Sequence, residues 1–173
     1  MNETMNALLT RRSCRSYKSD PIPQEVLDRI LTAGTYAPTA MGKQSPIILA
    51  VTSKEMRDKL SAMNAAVMGG QNDPFYGAPA VLVVLADKHV GPYVYDGSLV
   101  MGNLMLAAHA EGLGSCWIHR AKEEFESEEG KRILADLGIT GDYEGIGHCI
   151  LGYPAAPAAE PKPRKKDYVY YIK

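Results

Sequence analysis

Apolar residues at helical spacing open the chain: Met5, Leu8 and Leu9 predict a short first helix that runs into the basic stretch Arg11-Arg12-Ser13-Cys14-Arg15. Asp20-Pro21-Ile22-Pro23 reads as a turn, and Pro23 suits a helix start. The helix that follows should reach about Gly34, because Val26, Leu27, Ile30 and Leu31 share one face. Two prolines and a glycine make Ala37 to Pro46 a loop. Ile47 to Val51 then reads as a buried strand, and Ser53 as the cap of a helix carrying Met56, Leu60 and Met63. Met68 to Ala78 has no period, so a ligand or partner is expected to order it.

The unalternating run Ala80 to Ala86 is the strongest strand signal and predicts burial on both faces. Asp96 to Glu111 reads as a central helix, apolar nearly all round and therefore buried. Asp96 would cap it, Asn103 would bond backbone as a buried amide, and His109 would be a satisfied core histidine. Gly112-Leu113-Gly114 ends that helix, and Ser115 to Ile118 is a strand. Ser127 caps a short helix closed by Gly138, and Gly147 to Tyr153 is a further strand. The tail from Pro154 to Lys166 is rich in Pro, Ala and Lys and precedes Tyr168-Val169-Tyr170-Tyr171-Ile172, an expected interface or sheet edge. Helices and strands mix without a βαβ period, so the fold class is α+β, with residues 1–173 forming one domain.

Composition narrows the function. In 173 residues, 46% hydrophobic and 23% charged positions describe a globular chain, not a disordered or coiled one. Lys+Arg 19 against Asp+Glu 20 leaves no basic surplus for nucleic acid. Neither an apolar leader nor a membrane-length apolar run is visible, so a cytoplasmic protein is expected. Cys14, Cys116 and Cys149 lie far apart, and the four histidines share no metal-ligand spacing, so no metal site is expected. Gly112-Leu113-Gly114-Ser115 follows a helix, whereas a dinucleotide fingerprint follows a strand, and no P-loop motif occurs. His148 and Cys149 are neighbours in a strand and point to opposite faces, which disfavours a Cys–His dyad.

One charge asymmetry stands out. Arg11, Arg12 and Arg15 bracket Ser13 near one terminus, while Lys162, Arg164, Lys165 and Lys166 cluster near the other. Such runs are more often solvated surface. If the termini meet, as they often do in domains, the two clusters could instead form a phosphate site with Ser13 as a hydroxyl donor.

Several segments, in order, resemble the FMN-dependent nitroreductases. They are Arg11/Arg12-Ser13-Cys14-Arg15-Ser16-Tyr17, Ala33-Gly34 with Ala37-Pro38-Thr39 and Gln44, and Tyr76-Gly77-Ala78-Pro79. Asp96 through Asn103 to Ala108, Gly112 to Ile118, Leu151-Gly152-Tyr153-Pro154 and Lys162-Pro163-Arg164-Lys165 complete the set, which covers nearly the whole chain. The family's loop usually reads Asn-x-Gln-Pro-Trp, where this chain has Gly42-Lys43-Gln44-Ser45-Pro46.

The resemblance implies a central, mostly antiparallel sheet flanked by helices, in a homodimer whose C-terminal tail reaches the partner. It implies FMN as cofactor, with contacts from Arg11, Arg12, Ser13, Arg15, Lys162 and Arg164. Further contacts fall to Pro38, Thr39 and Ala40, supplied across the subunit interface, to Gln44, and to Cys116, Trp117 and Ile118, where backbone N–H groups would lie near the ring. Arg15 would offset negative charge on the reduced ring. The implied activity is transfer of reducing equivalents from NAD(P)H to nitroaromatic, quinone or similar small-molecule acceptors by a ping-pong mechanism, with no strictly catalytic side chain. A compact chain implies an open site and broad acceptor use. The alternatives are a non-enzymatic FMN-binding protein and a specialised enzyme of the same fold, a dehalogenase or a flavin-fragmenting enzyme.

Overall fold

Four strands form one antiparallel sheet in the order β1-β2-β4-β3, in a computed structural model that describes residues 1–173. The elements follow as α1 (Glu3–Thr10), α2 (Gln24–Thr35), β1 (Pro46–Val51), α3 (Lys54–Val67), β2 (Ala80–Asp87), α4 (Tyr93–Ala110), β3 (Gly114–Ile118), α5 (Ala121–Glu126), α6 (Glu128–Asp136) and β4 (Tyr143–Gly152). The α+β expectation holds. Leu82 and Val84 of β2 face α2 and α4 in one core, while Val81, Val83 and Leu85 join α3, α5 and α6 in a second. Helices on both faces explain why β2 does not alternate although its neighbours run antiparallel. Each such buried aliphatic side chain stabilises by about 1.5–3 kcal/mol.

The caps at Ser53 and Ser127 form as expected, accepting from the N–H groups of Met56 and Gly130. Gly34 is needed for helix packing, because a Cβ there would stand 2.6 Å from Leu104 Cδ2 across the α2–α4 contact. Asn103 donates to Ala33 O at 3.0 Å and ties the same two helices. No helix is long and apolar enough to cross a membrane.

Five expectations change. The central helix begins at Tyr93, and Asp96 does not cap it. Asp96 is buried and accepts from Ala40 N–H at 2.9 Å and from Ser45 Oγ at 2.8 Å, which pins the loop after α2. Within one chain α4 is not covered all round: Tyr95, Leu99 and Gly102 form an exposed stripe. Strand β4 starts at Tyr143, and α6 is preceded by α5, which has no sequence signal of its own. The segment Met68–Ala78 is ordered by the chain itself. Asp73 accepts from Ser61 Oγ, Phe75 N–H and Gly77 N–H, while Arg57 donates to Asp73 and to Ala78 O.

Candidate functional site

The basic segment after α1 is fixed by backbone pairing. Ser13 bridges Ser115 at the outer edge of β3, with Cys14 N–H donating to Ser115 O at 2.9 Å. Lys18 N–H donates to Tyr153 O, and Ala155 N–H to Ser16 O, both at 2.9 Å. The N-terminal segment is thereby threaded between β3 and the chain leaving β4. Gly114 permits the approach, since a Cβ there would stand 2.7 Å from Cys14 Sγ. Tyr17 donates its hydroxyl proton to Cys14 O at 2.6 Å, and burial holds that phenol far above its ordinary pKa.

A cavity of about 340 Å³ opens beside this crossing. Arg12, Ser13, Cys14, Arg15 and His109 line it, together with the tail from Pro154 to Ala159. No Asp or Glu does. Arg12 Nε is buried here without an acceptor, although Arg12 Nη1 donates to Leu9 O and Arg11 O; Arg11, which is not part of the lining, leaves its own Nη1 buried and unmet. An unmet buried donor costs about 1–3 kcal/mol, more when charged. One of them lies on a residue that lines a carboxylate-free cavity, and an anion there could answer it. Ser13 adds a hydroxyl, and the donor set suits a phosphate group.

The remaining candidates fall in three places. Ala40 is tied to Asp96 near the start of α4, and the Gln44 N–H donates to Thr39 Oγ1 at 3.1 Å. His109, at the arginine cavity, lies thirteen residues further along α4, about 20 Å at helical rise. Loop residues Pro38, Thr39, Ala40 and Gln44 therefore belong to the opposite end of α4 from Arg11–Arg15. Cys116 and Ile118 are buried in the second core, and Trp117 packs on the first, so all three side chains are directed into packed protein. Lys162 and Arg164 are exposed in the tail beyond the residues that line the cavity.

His109 was expected in the core. The ring instead lies at the cavity, with Nε2 2.8 Å from Thr10 Oγ1. Burial, Arg11 and Arg12 together hold its pKa below the ordinary imidazole value. Its apolar neighbours in sequence hid this role, and only the approach of α1 and the tail reveals it.

The nitroreductase family model matches residues 8–68 and 61–153. The chain belongs to the nitroreductase family. This nitroreductase is 38% identical over 187 aligned positions to a Bacillus subtilis protein named FMN reductase (NAD(P)H), covering 95% of this chain and 70% of that one. Two solved nitroreductases with bound FMN superpose over the full length of both chains. The Bacteroides fragilis protein is 25% identical with a TM-score of 0.88, and the Desulfitobacterium hafniense protein 26% identical with a TM-score of 0.89.

Proposed function

We propose that this nitroreductase is an FMN-dependent oxidoreductase that passes reducing equivalents from NAD(P)H to nitroaromatic, quinone or similar acceptors in a ping-pong sequence. The observation that carries the reading is the buried, unanswered Arg12 Nε at a carboxylate-free cavity, with a second unmet guanidinium N–H on the adjoining Arg11. Solved relatives of the same family and fold contain FMN, whose phosphate is the kind of anion that donor set suits. Arg11, Arg12, Ser13 and Arg15 would hold the phosphate end. When bound, FMN would supply a two-electron carrier, reduced by the nicotinamide and reoxidised by the acceptor. The protein's part is to bind, orient and leave one ring face open, so no side chain here is assigned a catalytic role. Arg15, exposed at the rim, supplies positive charge for the reduced state.

A homodimer completes this site. Residues 38–44 and 11–15 sit at opposite ends of α4, and the Tyr95–Leu99–Gly102 stripe leaves that helix uncovered on one side. Two copies packed twofold along antiparallel α4 helices would bring the loop of one beside the arginines of the other. The exposed tail, with Lys162, Arg164 and Tyr168–Ile172, is then free to reach the partner.

The test is the visible absorbance spectrum of the purified protein before and after anaerobic NADH or NADPH. Flavin bands that bleach, then return with a nitroaromatic or a quinone, are expected. A colourless protein that FMN cannot reconstitute would remove the reading. Bound flavin that neither nucleotide bleaches would leave a non-enzymatic FMN-binding protein.

A further inference from the structure

The last turn of α4 brings one imidazole to the arginine cavity. The Thr10 hydroxyl donates its proton to Asn6 O at 2.7 Å, so toward His109 the same oxygen accepts and Nε2 carries the hydrogen. Nδ1 has no hydrogen-bond partner in the chain and is the ring's remaining site for a proton.

The surroundings decide whether that site is filled. Arg11 and Arg12 act on the ring from the segment after α1, and Arg15 and Cys14 line the same cavity. From the tail, residues 154–159 bring no titratable group, and α1 offers only the Thr10 hydroxyl. Glu111, two residues on, is committed to Arg29 at 2.8 and 2.9 Å. The C-terminal end of a helix favours a cation. Burial and the two arginines therefore hold the proton off, and an anion in the cavity would cancel the arginines' share.

We infer that His109 is the proton-coupled member of the phosphate site: seating a phosphate monoester beside Arg11, Arg12 and Arg15 places a second proton on its ring. The inference rests on the flavin reading above, with the FMN phosphate as the anion. The proton comes from solvent and goes to Nδ1, and the imidazolium becomes a further cation of the site. Binding and protonation then favour each other by linkage. Between the lowered pKa of the free protein and the raised pKa of the complex, affinity falls as pH rises. The limit for a single titrating group is about tenfold per pH unit.

The experiment follows the His109 ring signal by NMR from about pH 5 to 9, assigned with His109→Gln, in free protein and with FMN or riboflavin. Calorimetry of FMN binding in two buffers of different ionisation heat counts the protons taken up. FMN should raise the His109 pKa, riboflavin should leave it unmoved, and wild type should take up more protons than His109→Gln. The phosphate's own ionisation near pH 6 is common to both proteins and drops out of the difference. FMN that binds without moving the titration, a riboflavin effect as large as that of FMN, or equal proton uptake by the variant would each overturn the inference and leave the flavin reading intact. Failure of FMN to bind at all would remove both. If His109→Gln does not fold, the wild-type signal titrating with and without FMN decides.

Discussion

Two clusters in this chain each combine a histidine with at least one arginine, and they differ in how far their hydrogen bonds are met. Beneath the sheet, Glu124 accepts from Asn64 Nδ2 and meets His148 Nε2 at 3.2 Å, with both side chains fully buried. Asn64 also donates to His119 O at 2.8 Å, while its Oδ1 accepts from Arg120 Nε and Nη2 at 3.0 and 2.8 Å. Only His148 Nδ1 lacks a partner there. The His148 ring packs on Phe75 at 5.1 Å between centroids. At the cavity lined by Arg12 and Arg15 the unmet groups are guanidinium N–H donors, Arg12 Nε on a lining residue and Arg11 Nη1 on the adjoining one. Polar groups answered within the chain hold the fold, whereas the unanswered guanidinium donors are those that the proposed phosphate site would satisfy.

The comparison breaks most visibly if binding and stability do not separate. Replacing Arg11 and Arg15 together by Ala removes two charge-assisted partners of about 1.5–3 kcal/mol each, so FMN affinity should fall by about 10²–10⁴-fold. The flavin-free fold should not lose stability, because Arg15 is exposed and Arg11→Ala removes a buried donor that has no acceptor. Flavin fluorescence titration and urea unfolding of the same sample check both halves. Full flavin occupancy in the double variant would sink the phosphate assignment.

Glu124→Ala should do the reverse. Removing one member of a buried pair leaves its partners unmet, at a cost of about 3–5 kcal/mol in unfolding free energy. FMN affinity of the folded fraction should stay unchanged. Glu124→Gln, which keeps an oxygen for Asn64, should cost less and serves if the Ala variant does not fold. A stable Glu124→Ala protein would mean the network contributes little to the fold.

How much of this was legible in the sequence follows from how local each feature is. The run Ala80 to Ala86 and the caps Ser53 and Ser127 are written in adjacent residues, and all three form as read. Helix α5 is six residues, Ala-Lys-Glu-Glu-Phe-Glu, too short for a period to show. Asp96 looked like a cap because a polar residue near a helix start usually is one, but its partners lie 51 and 56 residues away. His109 looked like core because its neighbours are apolar, yet the cavity it lines is walled by the segment after α1 and by the tail. The arginines of 11–15 were visible as a basic run, but their unmet donors were not, since only packing shows which N–H groups lack acceptors. The tail cations Lys162 and Arg164 have no place in the single-chain cavity, and composition could not reveal that separation.

A third polar cluster, fully answered but reachable by water, sharpens the comparison with the smallest effect. Burial alone would raise the Asp73 pKa, but donation from Arg57, Ser61 and the N–H groups of Gly77 and Phe75 outweighs it and holds the carboxyl at about 2. An unfolded Asp titrates near 3.9. The folded value is the lower one, so its stabilisation is complete above about pH 4 and is lost as pH falls through the folded pKa. Wild type should therefore lose stability between about pH 4 and 2, and Asp73→Asn should lack that component in acid unfolding monitored by circular dichroism. Solvent screens this partly exposed carboxylate, so the slope should be shallower than the full shift would give. Equal acid losses in the two proteins would mean that the Arg57–Asp73 contact fixes the path of residues 68–78 without adding charge-dependent stability. The difference from Glu124 would then come from burial, since both carboxylates have their hydrogen bonds met.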